Sequence, residues 1–242
     1  PYFVQIAGNS VELVRDAVLL LNDVEGIDGI DLNCGCPAPK VFNHGSGSNL
    51  LGDLKKLEEI LSTVKKYSKK QYTSAKVRLG VNDKIPVEIG KAVEACGADF
   101  VSVHGRTRAG KYKAPVDYDA IKAMKDAISI PVIANGDIKD YEKAKEVLKY
   151  TNADGVMIGR GAIGKPWVFY QLKHGVDNIT DEIKKEIILE HFDAMLEYHG
   201  PHGAIMFRKL LHAYSKGYTG ANEFRDIINK TSEIDVMRDM ID

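Results

Sequence analysis

The 242-residue chain is poor in cysteine, holding three: Cys34, Cys36 and Cys96. A small, odd number argues against a disulfide framework and for a reducing compartment, with the cytoplasm as the default. No apolar run approaches the ~18 residues that cross a bilayer. The N-terminal stretch shows no basic region followed by an apolar block, so neither a membrane span nor a secretory leader is expected. An excess of one charge is also missing. Thirty-three Lys and Arg face 34 Asp and Glu, a net charge of −1, so any polyanion partner has to be held by a local patch and not by a global field. There is no internal repeat and no low-complexity tract. No G-x-G-x-x-G follows an early strand to mark a dinucleotide fold, and the C-x-C of residues 34–36 lacks the second cysteine pair of a zinc site. No metal is expected.

What the chain does have is order. With 44% hydrophobic residues it can bury a substantial core, and six short apolar runs punctuate residues 2–161: YFVQIAG, GIDLN, AKVRLG, FVSVHG, PVIANGD and GVMIGRG. Helical stretches lie between them, the clearest placing Leu54, Leu57, Ile60, Leu61 and Val64 on one face. Strands rich in Val and Ile, alternating with helices, predict parallel βα units, hence a (β/α) barrel or a doubly wound sheet. The strand ends favour the barrel. Polar residues stand at the C-terminal end of nearly every run: Gln5, Asn33, Lys76 with Arg78, His104 with Arg106, Asn135 with Asp137, and Arg160. A barrel builds its active face in this way. Glycine turns after VIAN and VMIG resemble the phosphate site that barrels place after strands seven and eight. A (β/α)8 barrel with six of its eight strands visible follows, two N-terminal βα units being absent. From residue 178 no Val/Ile-rich run occurs, so a barrel over 1–177 and a small all-helical domain over 178–242 are expected.

Cys36 follows a strand on the barrel's chemical face, and Pro37 with Gly45, Gly47 and Gly52 marks a loop that bends. A thiol there can serve as nucleophile or proton donor, whereas Cys34 and Cys96 read as small buried apolar residues. Lys76 and Arg78 alternate and so share one side of their strand; two inward cations call for a negative partner. His104, with Arg106 and Arg108 near it, suits an anion. Asn135 and Asp137 offer hydrogen bonds to hydroxyls, and the amides of Gly159, Arg160 and Gly161 can cradle phosphate. In the C-terminal region, Phe207, Leu210, Leu211, Tyr214 and Tyr218 project to one side and Arg208, Lys209, His212 and Lys216 to the other, with no acidic residue between Tyr198 and Asn222. A nucleic-acid face and an ordinary solvated face both fit that pattern.

The segments DLNCGCPAPKV, VRLG, VHGRTR, VIANGDI and GVMIGRGAIGKPW, in this order and at these intervals, resemble the tRNA-dihydrouridine synthase family, most closely its bacterial B-type branch. The resemblance implies an FMN-binding (β/α)8 barrel followed by a helical tRNA-binding domain. It also implies NADPH as reductant of the flavin, hydride transfer to C6 of a uracil in tRNA, and protonation of C5 by a cysteine. Carried over by position, the proton donor falls on Cys36. The flavin contacts fall on Gln5, Lys76, His104, Asn135, Gly136, Asp137, Gly159 and Arg160. Positions near the uridine and the tRNA backbone fall on Asn33, Lys40, Arg106, Arg208 and Lys209. No obligate protein partner is implied. Ala114 and Tyr118 stand where the family has Gly and Trp, changes expected to alter packing. Two other readings fit the same residues: an FMN barrel oxidoreductase acting on a small molecule, and an RNA-binding module without turnover.

Overall fold

Alternation in the apolar runs becomes six strands: β1 (Phe3–Ile6), β2 (Gly29–Cys34), β3 (Tyr72–Arg78), β4 (Phe100–His104), β5 (Val132–Asn135) and β6 (Gly155–Met157). The structure, a computed structural model, describes residues 1–241. The strands form a single parallel sheet in the order β1-β2-β3-β4-β5-β6. Unbroken sequential order is that of a (β/α)8 barrel, since a doubly wound sheet reverses its order at a switch point. The expected fold class is therefore found, with six strands among the described residues.

The chain forms two compact units, one of residues 1–138 with 145–157 and the other of residues 139–144 with 158 onward. In the first, helices α1 (Val11–Asn22), α2 (Pro39–Asn43), α3 (Leu54–Tyr67), α4 (Pro86–Ala95) and α5 (Tyr118–Ala127) connect the strands, and α6 (Tyr141–Thr151), divided between the units after Ala144, precedes β6. Helix α3 starts at Asp53, whose carboxylate accepts from the Lys56 amide at 3.1 Å, and carries Lys65 and Lys66 in its last turn, where the dipole favours cations. Its apolar face, Leu57, Ile60, Leu61 and Val64, is fully buried. Each such side chain contributes about 1.5–3 kcal/mol of burial. Strand residues facing the helices form registered apolar rows, Leu32–Ala75–Val101–Val132 and Cys34–Val77–Val103–Ala134–Val156.

The second unit contains α7 (Trp167–His174), α8 (Asp181–His199), α9 (His202–Tyr214), α10 (Ala221–Lys230) and α11 (Ile234–Ile241). Its core is Phe192, Ala204, Phe207, Leu211, Tyr214, Ile228, Met237 and Ile241, with Trp167 packed against it. Gly203 lets α8 and α9 approach, since a Cβ there would meet the Met195 carbonyl oxygen at 2.4 Å. Of the residues expected on the buried side of the 207–218 segment, Phe207, Leu211 and Tyr214 are buried, but Tyr218 is 51% exposed. Helix α9 ends at Tyr214, and Gly217 and Gly220 adopt left-handed backbone in the turn that follows. Helical periodicity therefore stops short of Tyr218. Among the described residues, no helix is long and apolar enough to cross a membrane.

Candidate active site

Residues paired across parallel strands project to the same side, so register alone stacks the polar side chains in three rows. The lowest is Gln5–Asp31–Ser74, the next Asn33–Lys76–Ser102, and the uppermost Arg78–His104–Asn135. These rows alternate with the apolar rows facing the helices, so the polar side is the opposite face of the sheet. Gln5, Asn33, Lys76, His104 and Asn135 are thus brought together by pairing geometry.

Cys36 stands just beyond β2, and its main chain is held on both sides. Asn33 Oδ1 accepts from the amides of Gly35 at 3.0 Å and Cys36 at 2.9 Å, while the Cys36 carbonyl accepts from Ser48 Oγ at 2.8 Å and the Ser48 amide at 3.1 Å. Gly47 (φ 62°) is required beside it: a Cβ would lie 3.0 Å from the Cys36 carbonyl oxygen and 3.1 Å from its Cβ. The Cys36 side chain is half-buried, whereas Cys34 is fully buried on the helix side and burial pushes its thiol well up.

The two inward cations of β3 differ. Arg78 finds carbonyls, Nε donating to Gly35 at 2.8 Å and Nη1 to Thr107 at 3.1 Å, and its guanidinium lies 5.6 Å from the Tyr112 ring centre. The loops after β2 and β4 converge on it and supply these neutral acceptors. Among the described residues Lys76 has only a long contact, to Asn135 Oδ1 at 3.5 Å, and burial, then Arg78, lowers its pKa against the pull of Asp31. Asn135 in turn donates from Nδ2 to the Met157 carbonyl at 2.7 Å.

Around His104 the groups are tightly coupled. Arg106 is almost wholly buried; its Nη2 and Nη1 donate to the two Asp137 carboxylate oxygens at 2.5 and 3.2 Å, and its Nε donates to the Ala114 carbonyl at 2.5 Å. Nη1 also lies 3.3 Å from His104 Nε2. A guanidinium only donates, so Nε2 is the acceptor of a neutral imidazole. Burial, reinforced by Arg78, Lys76 and Arg106 and opposed by Asp137, pulls the His104 pKa down to about 3. Gly136 (φ 129°) leaves room for this packing, as a Cβ would sit 2.9 Å from Val116 Cγ2 and 3.1 Å from His104 Cδ2. Tyr118 fixes the same turn, its hydroxyl donating to the Gly136 carbonyl at 2.7 Å.

A pH dependence follows. In the unfolded chain the imidazole protonates near 6.5, so between that value and about 3 the unfolded state binds a proton that the native state refuses. Stability from this group is fully present above pH 6.5 and is lost as pH falls toward 3. Thermal unfolding from pH 7.5 to 4 is expected to show a falling Tm, with a shallower slope in His104→Gln; parallel slopes would refute the assignment.

Other expected site residues belong to none of the strand rows. Lys40 is exposed on α2. In the second unit, Gly159 and Arg160 open a short 3-10 turn, Arg208 is half-buried with Nε donating to the Thr231 carbonyl at 3.0 Å, and Lys209 is exposed.

Comparison with known proteins is decisive at this point. The family model for dihydrouridine synthase (Dus) matches residues 1–241. This chain belongs to the dihydrouridine synthase family. It is 49% identical over 242 residues to a probable tRNA-dihydrouridine synthase of Helicobacter pylori, covering 100% of this chain and 74% of the relative. It is 44% identical over 235 residues to tRNA-dihydrouridine synthase B of Vibrio parahaemolyticus, covering 93% and 72%. Among solved structures, 6-hydroxypseudooxynicotine amine oxidase (HisD) of Pseudomonas geniculata N1 has TM-score 0.50 at 17% identity, over 68% of this chain and 28% of that one, a likeness of fold alone. Two further residues of the candidate site are not singled out by the sequence pattern. Asp31, legible as a polar residue two positions before Asn33 in an apolar strand, is buried in the lowest row; Ser48, hidden in a Gly/Ser run, bonds Cys36.

Proposed function

We propose that the protein reduces uridines in tRNA to 5,6-dihydrouridine, using flavin mononucleotide with NADPH as its reductant. Family membership supports the reaction, and the observation that carries the residue assignment is the pinned Cys36 loop at the head of the polar rows. The donor set fits an electron-rich, anionic group: the cations Lys76, Arg78 and Arg106 outnumber the carboxylates Asp31 and Asp137, Lys76 makes no hydrogen bond shorter than 3.5 Å among the described residues, and burial lowers the His104 pKa. Arg108 Nε, at the edge of the loop after β4, is buried without a hydrogen-bond partner among the described residues. When bound, flavin mononucleotide would supply the hydride that goes to C6 of the uracil.

In this reading Gln5, Lys76, His104, Asn135, Gly136 and Asp137 hold the flavin, and the amides at Gly159 and Arg160 take its phosphate. Cys36 gives its thiol proton to C5 and recovers one from solvent. Asn33 faces the base. Arg106, whose three nitrogens already bond protein atoms, sets His104 and Asp137 in place. Lys40, Arg208 and Lys209 meet the tRNA, Arg208 through atoms not engaged by Thr231. Residues 1–177 act as the flavin and catalytic domain and 178–242 as the tRNA-binding domain, in the cytoplasm, without an obligate protein partner. The target base has to leave its stack to reach a recessed cofactor.

The test is reduction of tRNA uridines by the purified protein with FMN and NADPH, read as dihydrouridine by mass spectrometry. A protein that neither takes up FMN nor forms dihydrouridine overturns the proposal. Lys76→Met, which loses a charge-assisted contact, is expected to weaken FMN binding about tenfold or more by fluorescence titration; unchanged affinity removes Lys76 from the cofactor site.

A further inference from the structure

Asp31 does nothing in the reaction as proposed, yet it is a nearly buried carboxylate at the start of a directed chain of hydrogen bonds. Its Oδ1 accepts from Ser74 Oγ at 2.7 Å and its Oδ2 from Gln5 Nε2 at 2.6 Å. Gln5 Oε1 accepts from Asn33 Nδ2 at 2.8 Å, and Asn33 Oδ1 accepts from the amides of Gly35 and Cys36. A carboxylate in this setting only accepts, and backbone amides only donate. Both ends of the relay therefore impose the same polarity: Gln5 cannot turn its amide over without breaking two bonds, nor Asn33 without breaking three. Gln5 is otherwise exposed. Without an anchor its side chain would recover the rotamer freedom that fixing it removes.

From this geometry we infer that Asp31 is a positioning residue: through Gln5 and Asn33 it fixes the loop that presents Cys36. It touches neither the thiol nor the substrate. Burial raises the Asp31 pKa, and Ser74, Gln5 and the nearby Lys76 oppose that rise, so the bonds it accepts are the ones that favour its charged form. The catalytic consequence rests on the uridine-reduction reading; the effect on the loop does not.

The experiment measures, on the folded FMN-loaded protein, the rate at which iodoacetamide alkylates Cys36, followed by peptide mass spectrometry, beside turnover on tRNA. Asp31→Leu is expected to alkylate at least about threefold faster and to turn over about tenfold more slowly, the scale of a small misplacement of a reacting group, with KM for tRNA unchanged. Asp31→Asn keeps an acceptor for Gln5 and is expected to restore most of the protection. Gln5→Leu changes an exposed residue and tests the relay should Asp31→Leu fail to fold. It is expected to accelerate alkylation to the same extent, and the double variant is expected to add nothing. Wild-type alkylation rates in folded Asp31→Leu or in Gln5→Leu, or additive effects in the double variant, overturn the inference. A wild-type protein that makes no dihydrouridine defeats the uridine reading instead, and the alkylation rates still decide the relay.

Discussion

Replacing Cys36 by alanine is expected to lower uridine reduction by about 10²–10⁴-fold, the usual contribution of a positioned general acid, while flavin content and tRNA affinity stay at wild-type levels. The main chain of residue 36 is held through its amide and carbonyl by Asn33 and Ser48, and the substitution leaves those bonds in place. The loss therefore lies in proton delivery and not in loop order. Single-turnover oxidation of the reduced protein by tRNA is the measurement. A variant turning over within threefold of wild type would remove Cys36 as proton donor and turn attention to another group at the mouth of the rows.

Phe207→Ala is expected to destabilise the second unit by about 3–5 kcal/mol, as removing a buried aromatic does when its cavity cannot collapse. Phe207 is fully buried, with ring contacts to Phe192 at 5.0 Å, His191 at 5.1 Å and Tyr214 at 6.1 Å between ring centres. Those rings come from α8 and α9, whose backbones are already close at Gly203, so there is little freedom to repack. The checking measurement is urea unfolding followed by near-ultraviolet circular dichroism. A cost below about 1 kcal/mol would mean that this core is looser than its packing indicates.

The barrel class was legible because period-two alternation and polar strand ends are local signals. GIDLN and AKVRLG each announce a strand and an inward face, and parallel pairing then aligns those faces without further information. Lys76 and His104 could be placed at the site for that reason. Interactions that depend on two loops meeting could not be read. Nothing local shows that Arg78 ends among the carbonyls of Gly35 and Thr107, or that Arg106 is consumed by Asp137 and Ala114. Tyr218 illustrates the opposite failure: its spacing suits the buried face of α9, but the helix ends at Tyr214 and Gly217, in left-handed conformation, precedes it. Tyr118, read as a packing change, also donates a hydrogen bond to Gly136.

The bend that Asn33 imposes at Gly35 separates two otherwise identical amino acids. In a straight strand, residues two apart share a side, and both sulfurs would have lodged behind the sheet. Because the backbone turns between them, one is sealed in hydrocarbon and the other stays reachable. A mild oxidant should therefore strike residue 36 and spare residue 34, so that, under the proposed function, damage silences the chemistry before it loosens the fold.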